Sequence, residues 1–447
     1  MKINAFPVLS ENPLIRYFNF IALYIAQGIP EGMLFYGIPA WMAMNGNTPG
    51  EIGGFAIACG LPWSFKFIVA PLMDRYTYLP MGRKRLWVII GQMGLIGACI
   101  NMAFVPDPLH NLSAFYIAGF IVSFFGAFQD VATDGMAVDV IPADQQARAN
   151  GFMWGSKIIG TSASLALGSW LVNAYSFTIA FLALAMMIGL IMLVPILLRE
   201  RPGEKTLPWT KGQASPINKK LQLTNWKEIF ISLSKVFTLR NSLIIASIGF
   251  IIGGSENYMN ILLPLFTVKE LGWTDLAYSQ IYAAATLFGG IGGMLIGGIL
   301  IDKFGKKRML NIYFITSALL TLLLVLLKSY WNNPYIINSY MFVYALLMVF
   351  CNIGIFAICM QCCWKKVSAS QFTLYMTLAN LGRVVFAALI GPITSYFNWG
   401  ISLLFFAGFI CLAWLLLQFF NIDKQVESVQ KLETIDLELK SANLTTS

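Results

Sequence analysis

Apolar segments of about 20 residues recur along nearly the whole chain, and about 20 helical residues are what the hydrocarbon core of a bilayer demands. In lipid a backbone must satisfy its own hydrogen bonds, so each segment is read as a helix. Twelve such spans fit, at Leu14–Ala40, Glu51–Met73, Leu86–Val105, Leu112–Ile141, Ala149–Ala174, Phe177–Leu198, Asn241–Val268, Leu276–Ile301, Met309–Leu327, Tyr335–Cys363, Ala369–Phe397 and Trp399–Phe420. With 57% hydrophobic residues, 11% charged residues and a mean hydropathy of +0.69, a soluble protein is excluded. The region of Lys2 and Arg16 runs into a span too long for the core of a cleavable signal, so the first helix is expected to remain.

A net charge of +9 could point to nucleic acid, but the placement of the charge argues otherwise. Of the 30 Lys and Arg residues, Lys269 and Lys328 fall on one side of the spans and Lys66, Lys157 and Arg383 within them. All the others lie on the side of both termini, Arg16 at the very start of the first span among them, and the positive-inside rule makes that side cytoplasmic. The opposite loops are very short. Expected partners are therefore the lipid bilayer, protons and a small-molecule substrate, with no nucleic acid and a monomeric state.

The cysteines fall within spans or at the cytoplasmic end of one, which implies no disulfide framework. His110, the one histidine, lies in an outer loop, so no imidazole relay or His metal site is expected in the membrane, and no metal or cofactor is implied.

The stretch from Phe128 to Gly151 places Asp130, Asp134 and Asp139 in a mostly apolar run and reads as the functional centre. Asp130 and Asp134, four apart, share a helix face, while Asp139 comes three residues before Pro142. An acid at mid-depth costs about 2.5 to 3.5 kcal/mol and needs water, a partner or a proton. In the first span, GIPEG sets Pro30 between glycines, which frees backbone groups and turns Glu31 either toward a wet cavity or toward Lys157. Lys157 lies at about the depth of Asp134, where a cross-helix ion pair is expected. In the seventh span Glu256 and Asn260 share a face, and Asn380 and Arg383 in the eleventh lie at similar depth, so Glu256 with Arg383 is the expected counterpart.

The acids Glu31, Asp130, Asp134 and Glu256 outnumber the mid-depth bases Lys157 and Arg383, with Lys66 placed nearer the cytoplasmic end. A carboxylate left over can carry a proton. Asp130 or Glu31 is the expected carrier, and Lys157 and Arg383 are expected to attract an anionic group of the substrate. Tyr24, Gln27, Gln129, Trp154, Asn257, Tyr258, Asn260 and Asn380 are candidate contacts, each also explicable as packing.

The eighth span ends in GGILIDKFGKKR, which matches G-x-x-x-D-R/K-x-G-(R/K), and the second ends in PLMDRYTYLPMGRKR, a looser copy half a chain away in which the Asp-to-Gly spacing is stretched from three residues to eight. Duplication into two six-helix halves follows, over residues 1–199 and 241–421, joined by a polar linker at 200–240 and followed by a tail at 422–447. In the linker Trp226, Ile229, Phe230, Leu233 and Phe237 recur at helical spacing and predict an amphipathic helix on the inner membrane surface. The tail alternates charge and reads as a solvated short helix or as disordered. GGIGGMLIGG in the eighth span reads as close helix packing, not as a phosphate loop, because both flanks are apolar.

The loop signature resembles that of the major facilitator superfamily. The resemblance implies an all-α membrane fold of twelve helices in two bundles, with Asp74 capping the eleventh helix, Asp302 the fifth, and Arg75 reaching Asp139. Arg148, Lys303 and Arg308 join this gating set, which would close and open the cytoplasmic side. QDVATDG, PLMDRY with GRKR, and GIPEG followed by AWM are similar to the peptide, acetyl-coenzyme A and drug transporter branch, which includes muropeptide permeases and siderophore importers. Gly135 after Asp134 is closer to the acetyl-coenzyme A carriers. The branch implies an importer of a polar or anionic molecule such as a muropeptide, working by alternating access; the surplus of acids adds the expectation of proton coupling, and the compact loops that of a bacterial inner membrane. Siderophore or acyl-coenzyme A transport, or uncoupled uniport, remain open alternatives. An enzyme lacks a nucleophile or metal cluster here, and a receptor would carry a signalling domain beyond the last span.

Overall fold

The computed structural model describes residues 8–47, 49–223, 225–273 and 275–445; Lys2 lies outside them. All regular structure in them is helical. The chain divides into two compact units with short exchanged pieces: residues 143–151 belong to the second unit and 368–373 to the first.

The first unit holds α1 (Pro13–Gly32), α2 (Ile38–Met44), α3 (Pro49–Phe65), α4 (Val69–Arg75), α5 (Arg85–Ala103), α6 (Leu112–Val140), most of α7 (Gln146–Ala174), α8 (Phe177–Leu197) and the short α9 (Pro216–Lys220). After α10 (Trp226–Phe237), the second holds α11 (Arg240–Lys269), α12 (Asp275–Gly292), α13 (Gly298–Phe304), α14 (Lys306–Leu326), α15 (Pro334–Cys362), most of α16 (Ser368–Tyr396), α17 (Trp399–Phe419) and α18 (Ile422–Thr445). In the first unit α5 packs on α6 and α8, and α3 on α6; in the second α14 packs on α15 and α17, and α12 on α15. The same pairing thus occurs twice, which is what an internal duplication produces.

Among the described residues nine helices are long and apolar enough to cross a membrane, ten if α10 and α11, bent 79° apart, count as one span. Twelve spans were expected. α1 and α7 fall outside the apolar set, and they are the helices that carry Gln27 and Glu31, and Lys157. Polar load removes them from a hydropathy criterion without removing their length. α10 covers the residues whose periodicity predicts an amphipathic helix in the linker.

In lipid, helix association comes from close packing rather than from exclusion of water, so small residues sit where backbones meet. A side chain at Gly28 would overlap the carbonyl oxygen of Lys157, and one at Gly382 that of Phe250. Pro30 interrupts the ladder of α1, and five residues of π-helix, Met33–Gly37, follow it; a second such turn, Gly293–Gly297, joins α12 to α13. Extra residues in a turn realign the helix faces on either side of it. Around the first turn, Phe55 and Phe115 stack at 4.8 Å and Trp41 and Phe177 at 5.0 Å.

The tail departs from expectation. α18 is docked, with Gln425 fully buried and donating to Ser242 Oγ at 2.9 Å, and Asp436 paired with Lys366 at 2.5 Å. Its polar residues alternate because one face bonds to protein and the other to water.

Candidate functional site

In the first unit the acids of α6 meet donors from α1 and from the turn after α3. Asp130, at 6% exposure, accepts from Lys66 Nζ at 2.5 Å and from Gln27 Nε2 at 2.6 Å. Asp134 accepts the Tyr24 hydroxyl at 2.5 Å. No Lys or Arg nitrogen lies within 4.0 Å of Asp134 among the described residues. Glu31 pairs with Lys157 at 2.8 Å, and the Lys157 ammonium also lies 5.2 Å from the Trp63 ring centre and 5.5 Å from that of Trp154.

Of the two partners expected for Lys157, Glu31 is the one it takes, and not Asp134; Lys66, set apart from the other bases, reaches Asp130. The reason for the Lys66 contact lies in the backbone and the side chain. α3 stops at Phe65, a 3₁₀ turn holds Lys66–Ile68, and a flexible four-carbon stem carries the ammonium well away from its own Cα. Three carboxylates and two ammonium groups therefore share this network, and Asp134 is the acid served by a neutral donor.

Gln129 and Tyr258 are less available than their residue types implied. Gln129 is buried and donates to Leu23 O at 3.0 Å, and Tyr258 is buried with its hydroxyl on Ser402 O at 2.9 Å. Both bonds tie neighbouring helices together.

In the second unit Arg383 Nη2 pairs with Glu256 at 3.0 Å, as the matched depths predict. Asn352 donates to the same carboxylate at 3.3 Å, and Asn257 donates to Arg383 O at 2.8 Å. Asn260 accepts the Tyr282 hydroxyl at 2.8 Å. The pair is more open than its counterpart, with the Arg383 side chain 41% exposed; Asn380 is half-buried on the same helix.

The signature aspartates sit at helix starts. Asp74 accepts from Ser370 N at 2.8 Å and Ser370 Oγ at 2.7 Å, with Lys84 buried against its other oxygen. Asp302 accepts from Ala147 N at 3.2 Å and Arg148 N at 3.0 Å, with Arg148 Nε at 3.9 Å. The first N–H groups of a helix have no partner within it and carry the positive end of its dipole, so a carboxylate there satisfies both. Lys303 lies over the Phe304 ring, and Arg308 with Lys306 lines a cavity of about 360 Å³ beside Asp302.

Asp139 takes Arg83, which reaches both of its oxygens at 3.0 and 3.1 Å, whereas the Arg75 guanidinium lies over the rings of Tyr76 and Trp226. The expected Arg75 contact is thus made by a residue of the following basic cluster. Glu200 gathers that cluster by accepting from the N–H groups of Arg83, Lys84 and Arg85 at 2.9, 2.9 and 2.6 Å. Beside it Glu204 accepts from Asn218 Nδ2 at 2.8 Å and Arg201 N at 2.9 Å, and burial with the nearby Glu200 pushes its carboxyl up to about 8. Sequence reading missed Glu200 and Glu204. Their signal was two acids within a basic linker segment, RERPGEK.

Residues 20–387 match the family described as Major Facilitator Superfamily. The chain is 25% identical to the anhydromuropeptide permease of Escherichia coli (strain K12) over 377 residues, 84% of this chain and 73% of that protein. It is 23% identical to the putative transporter AmpG 3 of Rickettsia prowazekii (strain Madrid E) over 401 residues, 86% of this chain and 90% of the relative. Among solved structures, FucP in the outward conformation aligns with a TM-score of 0.70 at 14% identity, covering 91% of this chain and 99% of FucP.

Proposed function

This chain belongs to the Major Facilitator Superfamily, and from that premise we propose that it is a proton-coupled importer of a polar or anionic small molecule of the muropeptide type, working by alternating access. Its class as a membrane transporter, and not an enzyme, follows from the family and from relatives that are themselves transporters. Relatives named as anhydromuropeptide permeases support the substrate class, and bacterial relatives support an inner-membrane location.

The observation that carries the coupling is the imbalance in the first unit. Asp130 and Glu31 each hold an ammonium partner, while Asp134 has the Tyr24 hydroxyl. A carboxylate in that position binds and releases a proton without first breaking an ion pair, which favours Asp134 over Asp130 and Glu31 as the carrier. Glu256, paired with Arg383, has the same disadvantage as Asp130. Lys157 and Arg383 supply the positive charge that an anionic substrate group needs, and each must exchange its carboxylate for the substrate. The carboxylates at Asp74 and Asp302, each on the unpaired first N–H groups of a helix, are the contacts proposed to break and re-form in the cycle, with Arg75, Asp139, Arg148, Lys303 and Arg308 around them.

The substrate reading is tested by uptake of labelled anhydromuropeptide into proteoliposomes holding the purified protein, with siderophore and acyl-coenzyme A compounds in parallel. Saturable uptake of the muropeptide, driven by an inward proton gradient, is expected. Uptake of one of the other classes in its place would refute the assignment, and gradient-independent uptake would leave uniport.

A further inference from the structure

Trp63 stands between the two ion pairs of the first unit. It lies near the end of α3, and a Cβ at Gly126, one turn from Asp130 on α6, would come within 4.0 Å of its ring. The Lys66 ammonium is 5.3 Å from the ring centre and the Lys157 ammonium 5.2 Å. One ring thus meets both the cation that serves Asp130 and the cation that serves Glu31.

The indole N–H is buried and has no hydrogen-bond partner among the described residues. A buried Trp ordinarily uses that N–H, and a phenyl ring would occupy the place without stranding a donor. What the indole adds is its face, the most attractive of the aromatic faces to a cation. The titratable groups around the two ammonium groups are Asp130 and Asp134 of α6 and Glu31 and Tyr24 of α1; Asp134 lies within electrostatic range of Lys66, Lys157 and Asp130, and Tyr24 within that of Glu31. Cys59 is a buried thiol one turn back on α3, α2 carries no titratable side chain, and Glu51 and the Tyr116 hydroxyl meet near the start of α3, about three turns from Trp63. A positive charge beside a carboxylic acid disfavours its proton, and an anion placed beside that positive charge offsets the effect.

We propose that Trp63 is the positioning residue that couples substrate to proton in the first unit: its ring holds the Lys66 and Lys157 ammonium groups together within electrostatic reach of Asp134, so that an anion captured by Lys157 favours the proton on Asp134 and the proton favours the anion. The inference rests on the reading of Asp134 as the proton carrier and of Lys157 as the cation for the substrate, and adds the element that makes the two bind together. Linkage is reciprocal, so substrate affinity is greatest at low pH and falls as pH rises and Asp134 gives up its proton. Without the ring the Lys157 ammonium follows the substrate on its flexible stem, and the two events separate.

The test is equilibrium binding of labelled anhydromuropeptide to full-length protein in nanodiscs at about pH 5.5 and about pH 8, on either side of the range in which a buried carboxyl titrates. The wild type is expected to bind about tenfold more tightly at the lower pH, Trp63→Leu less than about threefold, and Trp63→Phe, which keeps a weaker ring face, in between. A ring that only fills space would change both affinities alike and leave their ratio untouched, so a folded Trp63→Leu with the wild-type ratio overturns the proposal. Thermal unfolding supplies a second reading that needs no substrate. Trp63→Leu combined with Lys157→Met, and separately with Lys66→Met, should lower the unfolding midpoint by less than the sum of the single effects, and additive shifts in either cycle overturn the shared ring. Should Trp63→Leu fail to fold, Trp63→Phe carries both measurements, with smaller changes in the same directions. Non-additive cycles in a protein that does not bind the muropeptide remove the substrate assignment and keep the ring as the holder of both cations; pH-dependent muropeptide binding with additive cycles removes the role of Trp63 alone.

Discussion

Removing one partner of the Lys66–Asp130 pair should destabilise the first unit far more than removing both. The two side chains are 6% and 7% exposed and stand 2.5 Å apart, so neither charge has water to fall back on. Lys66→Met leaves Asp130 with Gln27 as its remaining donor, and breaking a buried pair in this way costs about 3 to 5 kcal/mol. Asp130→Asn strands the ammonium, which keeps the ring of Trp63 at 5.3 Å, a contact worth only about 0.5 to 2 kcal/mol. The double variant leaves no unpaired charge and should lie within about 1 to 2 kcal/mol of the wild type, because most of each single loss is desolvation of the stranded group. At about 2 to 4 °C per kcal/mol for a unit of this size, each single substitution lowers the unfolding midpoint by roughly 10 °C and the double by a few degrees. Thermal unfolding of the four purified proteins in one detergent, followed by tryptophan fluorescence, closes the cycle. Additive losses, or single variants as stable as the wild type, would show that the two groups are not a buried pair and would remove the reason for excluding Asp130 as the proton carrier.

The signature aspartates predict an order. Asp302→Ala removes a carboxylate from the start of α7 and should cost about 0.5 to 2 kcal/mol, whereas Asp74→Ala also strands the buried Lys84 and should cost about 3 to 5 kcal/mol; equal shifts in unfolding midpoint would refute this. Glu204, with a folded pKa of about 8 against an ordinary 4.5, holds its proton at neutral pH; its contribution to docking the linker is therefore fully present below about 4.5 and lost as pH rises through about 8. Tryptic cleavage at Lys211 and Lys219, corrected with a reference peptide, should accelerate between pH 7 and 9 in the wild type and stay level in Glu204→Gln, and an equal rise in both would contradict it. Gly28→Ala should cost about 1 to 3 kcal/mol by pushing α1 away from the Lys157 backbone, while Gly97→Ala, with nothing within 4 Å, should be neutral or stabilising; a harmless Gly28 variant in the same unfolding assay would show the helices are not in contact.

Fold and site differed in how far sequence made them legible. Helix positions were legible because an apolar length of about 20 residues has one common solution in lipid, and the repeat because Asp74 and Asp302 each stand at the end of an apolar span just before a basic cluster. The matched depth of Glu256 and Arg383 was enough to pair them, since each projects from a single long helix, of 30 and 29 residues. Partner choice in the first unit was legible only in part: Glu31 with Lys157 was one of two readings, whereas Lys66 with Asp130 and Arg83 with Asp139 were not foreseen. Counting residues gives the depth of a Cα, and Lys66, Arg83 and Lys157 act several ångströms from theirs, so acids were assigned the nearest base by depth instead of by reach. The docking of α18 depends on Gln425 and Asp436, polar residues in a polar tail, and no periodicity distinguishes a polar face that bonds to protein from one that bonds to water.

Asp134 is the centre of the account, and proton movement is the direct reading of it. A pH-sensitive dye trapped in proteoliposomes, followed after addition of anhydromuropeptide outside, should report lumenal acidification with the wild type. Asp134→Asn should give none while still exchanging labelled for unlabelled muropeptide across the membrane, and Tyr24→Phe, which keeps the carboxylate, should retain the signal. Acidification by Asp134→Asn at the wild-type rate would contradict the central claim.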